Sequence, residues 1–478
     1  MKRFKRYIFI PLLMVLLSCE SIVDELNTDP NNPAQASATL LLTGLQLGNI
    51  TIHEGHTARV AGLWSGYFTG IDRQYRDIYF YNASGGLFNV SWQNIYYGVL
   101  QQTKLLEEQA RLTNNRVIAG IAKVVKAHAA GAATSGWGDV PFAQAADIAQ
   151  FPNPVFDKQE DIYKSLQKLL DDAIADLETN QGTTPGVADI HFGGNTTKWI
   201  DVAHTLKARF YLDVRDYANA YREAQLGIKN AEGSLLAPHG TSSGINENFY
   251  FTGRSITDID SQGAYITTIL DPASAAYRGD AKTDERARLN FYLTYTEANG
   301  VKSNFKHNYT STATKRGVFA QDAPFPLITF QENQLIHAEA GYRVNGLEEG
   351  LLQLNKYRAY LNEGGYIGTT YREENFKYEP YVAADFTAGG IANKKREAAG
   401  DALLREILEE RYITFFGQIL GFNDLRRTRK ESVVVPVPAN NGSVLPERFV
   451  FAQDEVNSNT NAPNPVPGVF EPTPVNKK

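Results

Sequence analysis

At 478 residues, 43% of them hydrophobic and 21% charged, the chain has a globular composition and enough length for a large core. Its net charge of −6 and the lack of any basic block beyond the N-terminus exclude the electrostatic footprint of a nucleic-acid binder. After the first twenty residues no run approaches the roughly 20 consecutive apolar residues of a membrane-spanning helix, and the mostly helical apolar pattern argues against a membrane barrel.

The N-terminus reads differently. Lys2, Arg3, Lys5 and Arg6 precede an apolar run from Tyr7 to Leu17. That run is long enough for a signal-peptide core and too short for a comfortable span. It ends in Leu16-Leu17-Ser18-Cys19, which resembles the lipobox of bacterial lipoproteins, where the cysteine is acylated and the chain is cut just before it. Residues 1–18 then read as a signal peptide and Cys19 as the lipid attachment site. Residues 19–36, "CESIVDELNTDPNNPAQA", read as a lipidated tether and opening turns. Cys19 is the only cysteine, so the mature chain has neither a free thiol nor a disulfide and depends on its core. Each buried acyl methylene contributes about 0.8 kcal/mol, so more than one chain gives stable attachment. Losing the basic leader takes the net charge to about −10.

From Ala38 onward, amphipathic helical patterns follow one another. Helices are predicted in "SATLLLTGLQLGNI", "LFNVSWQNIYYGVLQQTKLLEEQA" and "NNRVIAGIAKVVKAHAAGAATSGW", the last stopped by the Gly136–Asp139 turn. "KQEDIYKSLQKLLDDAIADLET", "TTKWIDVAHTLKARFYLDV" and "YANAYREAQLGIKNAEG" continue the series, with Trp199, Val202, Leu206 and Phe210 as a buried stripe. Short links imply helical hairpins, compatible with tetratricopeptide-like stacking, although no clean 34-residue repeat is present. Between about 237 and 326 the periodicity disappears. Only short candidate strands remain there, "AYITTIL" and "RLNFYLTY". A stretch of that length in a compact protein reads as a functional loop region. Helices return in "ITFQENQLIHAEAGYR", "LEEGLLQLNKYRAYLN" and "DALLREILEERYITFF", and a tail with five prolines from Pro463 to Pro474 reads as extended and loosely ordered.

Three motifs together resemble the SusD/RagB family of bacterial outer-membrane lipoproteins. They are "LNTDPNNP" behind the lipobox, "LIHAEAGYRVNGLEEGLLQLNKYRA", and "EILEERYITFFGQILGFNDLRRT". The last carries the family's Glu-Arg (Glu410, Arg411), Phe-x-Gly (Phe415 to Gly417), aromatic Phe422 and Asp-Leu-Arg-Arg-Thr (Asp424 to Thr428). "DERARL" matches more weakly, because Glu285 stands where many members have the proline of Asp-Pro-Arg. The resemblance implies a mainly α fold: a tetratricopeptide-like helical hairpin scaffold with long irregular loops and a few short strands. It implies one domain over 37–460, with scaffold at 37–236 and 327–430, a loop-rich ligand-binding insert at about 237–326, and a tail at 461–478. It further implies a glycan-binding, non-enzymatic lipoprotein of the outer membrane. Such a protein needs no cofactor, faces the cell exterior and delivers oligosaccharide to a SusC-like TonB-dependent transporter; some members take peptides instead. The Asp424–Arg427 run itself reads as structural, since arginine forks suit junctions between packed helices.

No catalytic signature stands beside this. His53 and His56 are three apart rather than four, without an evident third metal ligand, and no glycine-rich phosphate loop occurs. Paired carboxylates such as Asp171-Asp172 read as a solvated helix face, and a surface glycosidase remains only as the less favoured alternative. Binding chemistry is better represented. "LWSGYFTGIDRQYRDIYFYNASGG" interleaves rings, which stack on sugar C–H faces, with amides, carboxylates and guanidinium groups that meet hydroxyls. Its candidate ligand contacts are Trp64, Tyr67, Arg73, Gln74, Tyr75 and Tyr79. "NFKHNYTSTATKRGVF" adds Asn304, Tyr309 and Arg316, with His307 beside them, and "NENFYFTGRSITDID" offers Tyr250 and Arg254. Trp92, Trp137 and Trp199 fall on helical stripes and are expected in the core.

Overall fold

The computed structural model describes residues 37–255, 257–372, 376–442 and 444–478. Cys19 and the tether lie outside the described residues. Three long scaffold helices begin where a short polar side chain satisfies free backbone N–H groups. Ser37 caps α1 (Ala38–Glu54), Asn115 caps α6 (Arg116–Trp137) and Asn195 caps α8 (Thr196–Asp213). Between α1 and α6 lie α2 (His56–Trp64), α3 (Arg73–Tyr79), α4 (Asn89–Gln93) and α5 (Gln102–Leu112). The sequence reads 87–110 as one continuous helix. In the structure it opens with a 3-10 turn at Gly85–Phe88 and is π-helical from Asn94 to Gln101.

The scaffold is a chain of antiparallel neighbours. α5 packs on α6, α6 on α7 (Gln159–Glu178), α7 on α8, and α8 on α9 (Tyr217–Leu226). After the insert, α13 (Phe330–Asn345) packs on α9, and α14 (Leu347–Asn362) and α15 (Ala399–Thr414) pack on α13. The helix-on-helix succession is the predicted hairpin stack. α6 is long and apolar enough to cross a membrane, yet most of that length is buried, as Ala122, Ala127, Ala129 and Ala133 let neighbours approach closely.

The insert carries more regular structure than its sequence suggests. It holds the short helices α10 (Phe249–Thr252), α11 (Tyr265–Leu270) and α12 (Arg286–Tyr292), and the strands β3 (Ile259–Asp260) and β4 (Thr283–Asp284). "AYITTIL" is therefore a helix, not a strand; burying Ile266, Thr267, Ile269 and Leu270 requires helical spacing, which outweighs the β-branched character of the first three. "RLNFYLTY" divides between α12 and β5 (Leu293–Ala298), which pairs antiparallel with β6 (Val301–His307). The other antiparallel pairs join β1 (Thr69–Gly70) to β3, β2 (Leu235–Ala237) to β7 (Phe325–Ile328), and β4 to β8 (Lys377–Tyr378). Tyr250, Phe305 and Phe319 belong to the same buried cluster as the scaffold's Trp64 and Trp199, so insert and scaffold share a core.

The tail is docked rather than loose. The Val475 side chain is buried, its N–H donates to Gln159 Oε1 (3.0 Å), and its carbonyl accepts from Arg215 (2.6 Å). Proline-rich chain without helical period still buries a hydrophobe when each freed polar group finds a partner.

Two buried ion networks fasten the last helices. Arg427 grips Glu339 of α13 through both Nη atoms (2.6 and 2.5 Å), while Arg411 and Arg427 share Asp424 at 2.8 Å each. The Asp-Leu-Arg-Arg run on α16 (Ile419–Thr428) is thus structural. The second network joins Glu410 on α15 to Arg278 and Arg288, both also bound to Glu285 (2.9 and 2.6 Å). Glu285, the departure from the family's proline, shares with Glu410 the neutralisation of these two buried guanidinium groups. The Phe-x-Gly motif has a steric cause: Gly417 sits at φ +78°, and a Cβ there would lie 2.8 Å from the Phe319 ring.

A candidate ligand cleft on the loop face

Three segments meet beside the β5–β6 hairpin. β1 pairs with β3, placing Thr69 opposite Asp260 and Gly70 opposite Ile259. Gly70 is obligatory because a Cβ would lie 2.0 Å from the Tyr75 carbonyl, where the chain doubles back into α3. Asp72 caps that helix by accepting the Arg73 N–H (2.9 Å), with Arg73 held at φ 45°. The Arg73 side chain then reaches the residue just before β3, forming a two-pronged pair with Asp258 at 2.7 and 2.6 Å. Opposite, Asn299 (φ 52°) and Gly300 (φ 76°) close the hairpin, with a register shift at Thr294–Thr296.

A cleft of about 330 Å³ opens between them. Ile71, Arg254, Thr257, Ile259 and Asp260 line one side, and Thr294, Lys306, His307, Tyr309 and Thr310 the other. Its size lies at the lower end of small-molecule sites. The Tyr309 hydroxyl pairs with His307 Nδ1 (3.0 Å), and Asp260 accepts the Gln262 N–H (2.9 Å). Burial holds the His307 pKa down at about 3, so the ring is neutral at physiological pH. Partial burial pushes the Asp260 carboxyl up, opposed by the Gln262 N–H and by Lys306.

The predicted contacts divide. Tyr309, with His307 and Arg254, lines the cleft, whereas Arg73 is not part of the lining and pairs with Asp258. Trp64 and Tyr67 do not reach it. Trp64 is 1% exposed, donates its indole N–H to the Ile78 carbonyl (2.8 Å) and packs on Phe422 and Phe449. Tyr67 is fully buried, and its hydroxyl donates to the Tyr412 carbonyl (2.6 Å). These two and Tyr250 are core residues: an aromatic at helical or turn spacing buries most of its area when an acceptor satisfies its polar tip. Tyr75 is likewise buried, its hydroxyl accepting from Arg59 Nε (3.0 Å). Tyr79 is half-buried against Phe80, and Gln74 is exposed on α3; neither lines the cleft. Asn304, at φ 55° in the hairpin irregularity, donates to Thr296, and Arg316 pairs with Asp322 (2.5 Å), both away from the cleft.

Ile71, Asp260 and Lys306 were not singled out from sequence. Asn299-Gly300 between β-prone segments was the available signal for a hairpin, and a hairpin places Lys306 opposite Thr294. Trp92, Trp137 and Trp199 are buried as expected. His53 stacks on His128 with ring centroids 3.5 Å apart, and among the described residues no group of three or more His, Cys, Asp or Glu is placed to hold a metal ion.

The fold and cleft define a helical scaffold protein whose loops build a small, open, mixed polar and aromatic recess. A family model, SusD-like_2, described as starch-binding associating with outer membrane, matches residues 30–452. The chain belongs to this SusD-like family. A search of curated proteins finds no match. Among solved structures, a SusD/RagB family protein from Bacteroides thetaiotaomicron superposes with a TM-score of 0.71 at 19% identity, covering 92% of this chain and 99% of its own. A SusD homologue from Bacteroides uniformis gives 0.68 at 17%, covering 92% and 99%. A chitin-binding SusD homologue from Flavobacterium johnsoniae gives 0.63 at 16%, covering 88% and 94%.

Proposed function

We propose that this protein is a cell-surface lipoprotein of the outer membrane, anchored through Cys19, that captures oligosaccharide and hands it to a SusC-like TonB-dependent transporter without altering it chemically. The observation that carries the reading is the cleft between β3 and the β5–β6 hairpin. There the Tyr309 ring and the apolar Ile71 and Ile259 stand among hydroxyl, carboxylate and cationic partners. Sugar rings need that combination: an apolar face to stack and directional groups for hydroxyls. The family's description as starch-binding and the chitin-binding neighbour agree with a carbohydrate ligand. An open recess of this size gains little net free energy after the costs of association, which favours release to a transporter.

A glycan array with peptide controls tests the reading. Glycan signals that fall at least tenfold in Tyr309→Ala, with unchanged circular dichroism, are expected. Peptide signals alone would assign the protein to the peptide-binding members. New reducing ends after incubation with polysaccharide would make it a glycosidase.

A further inference from the structure

The cleft has a charge character opposite to that of the chain. The protein carries a net charge of −6, yet the ionisable side chains lining the cleft are Arg254, Lys306 and Asp260 beside the neutral His307. Among the described residues neither Arg254 nor Lys306 makes an ion pair, whereas Arg73, outside the lining, is neutralised by Asp258. Arg254 is also held in place. Its guanidinium lies 3.8 Å above the Phe251 ring, and one Nη donates to the Phe251 carbonyl (2.8 Å). Those contacts use one edge and one face of the fork and leave the other N–H groups for a ligand. Asp260 is engaged by the Gln262 N–H and does not pair with Arg254.

We infer that the cleft takes an anionic oligosaccharide, its acid group bound by Arg254 and Lys306 and its ring packed on Tyr309. This rests on the glycan reading above and adds the substrate class. An acid group with two adjacent anionic oxygens matches the free side of the Arg254 fork, and Lys306 supplies a second point charge from the hairpin. Asp260 and Glu247 act on Lys306 and Arg254 only at a distance, and neutral sugar hydroxyls would leave both cations without a direct ion pair. On an acidic protein, a local excess of positive charge draws an anion from solution and orients it. Uronic acids and sulfated sugars both offer this chemistry, through a carboxylate or a sulfate ester.

The test is isothermal calorimetry on the full-length protein in detergent at about 50 mM salt, where surface charges are screened over roughly a dozen ångströms. Three probes suffice: trigalacturonate, its carboxyl-reduced neutral counterpart, and a sulfated galactotriose. At least tenfold tighter binding of an acidic probe than of the neutral one is expected. The difference should disappear in Arg254→Gln and shrink in Lys306→Gln, both exposed positions whose replacement leaves the melting curve in place. A preference for trigalacturonate assigns the anion to a carboxylate, and one for the sulfated probe assigns it to a sulfate. Equal binding of neutral and acidic probes, or array hits confined to neutral glycans, overturns the inference and leaves the glycan reading intact. An array without any glycan hit overturns both.

Discussion

Alanine at position 64 removes a buried indole, its hydrogen bond to the Ile78 carbonyl and its packing on Phe422 and Phe449. Deleting a large aromatic from a core costs about 3–5 kcal/mol, so Trp64→Ala should move the guanidinium midpoint well down. An unchanged midpoint would return Trp64 to the surface. Tyr309 contrasts with it: half-buried, with its hydroxyl on His307, it loses little of the core when shortened and much of the cleft wall. Sequence could not separate these two tyrosine and tryptophan fates. Both lie among mixed aromatic and polar neighbours, and for Trp64 the decision is made by partners distant in the chain, Phe422 and Phe449. The three quoted segments supply all of the cleft's lining but Thr294, whereas most of the residues predicted as contacts lie outside that lining.

The helical elements were readable because their apolar spacing is local, and α14 spans the residues its pattern predicts. The insert was not, since α11, α12 and the hairpin are short and take their conformation from burial against the scaffold. The ion network beneath them gives the insert a pH signature. Arg288 and Arg278 hold Glu410 down to a pKa of about 2 against burial. A depressed carboxyl stabilises the fold fully above its usual range and loses that contribution as pH falls from about 4.5 toward 2. Glu406 acts in the opposite sense: burial raises it to about 7, so it favours folding in acid and withdraws that support as pH rises through the interval from 4.5 to 7. Removing one partner of a buried pair costs about 3–5 kcal/mol. Glu410→Gln should therefore be destabilised by that order at pH 7 and show a flatter stability profile between pH 4.5 and 2. Urea unfolding at pH 7, 4.5 and 3 checks this, and parallel profiles for the two proteins would refute it. The docked tail makes a simpler claim. Deleting residues 471–478 removes the buried Val475 side chain and its bonds to Gln159 and Arg215. A loss of about 2–4 kcal/mol is expected, from one buried aliphatic and two hydrogen bonds, visible as a lower melting temperature.

At the scale of the molecule, the domain and its attachment are separable. Among the described residues the shared core of scaffold and insert begins with Leu42 of α1, and Cys19 stands 18 residues before Ser37 in the sequence. A chain of that length spans at most about 60 Å when fully extended. Lipid at Cys19 would thus confine the cleft to a thin layer at the membrane surface, within reach of a transporter, and add nothing to the packing that holds the fold. Confinement of this kind raises the effective concentration of one partner near the other without any new contact. Cys19→Ala should accordingly leave the unfolding transition and the glycan affinity of the purified protein unchanged, while moving the protein out of the membrane fraction and abolishing incorporation of a labelled fatty acid. Growth on the cognate glycan should fall even though binding in solution persists. If the variant stays in the membrane fraction and still takes up label, acylation is elsewhere and Cys19 is not the anchor.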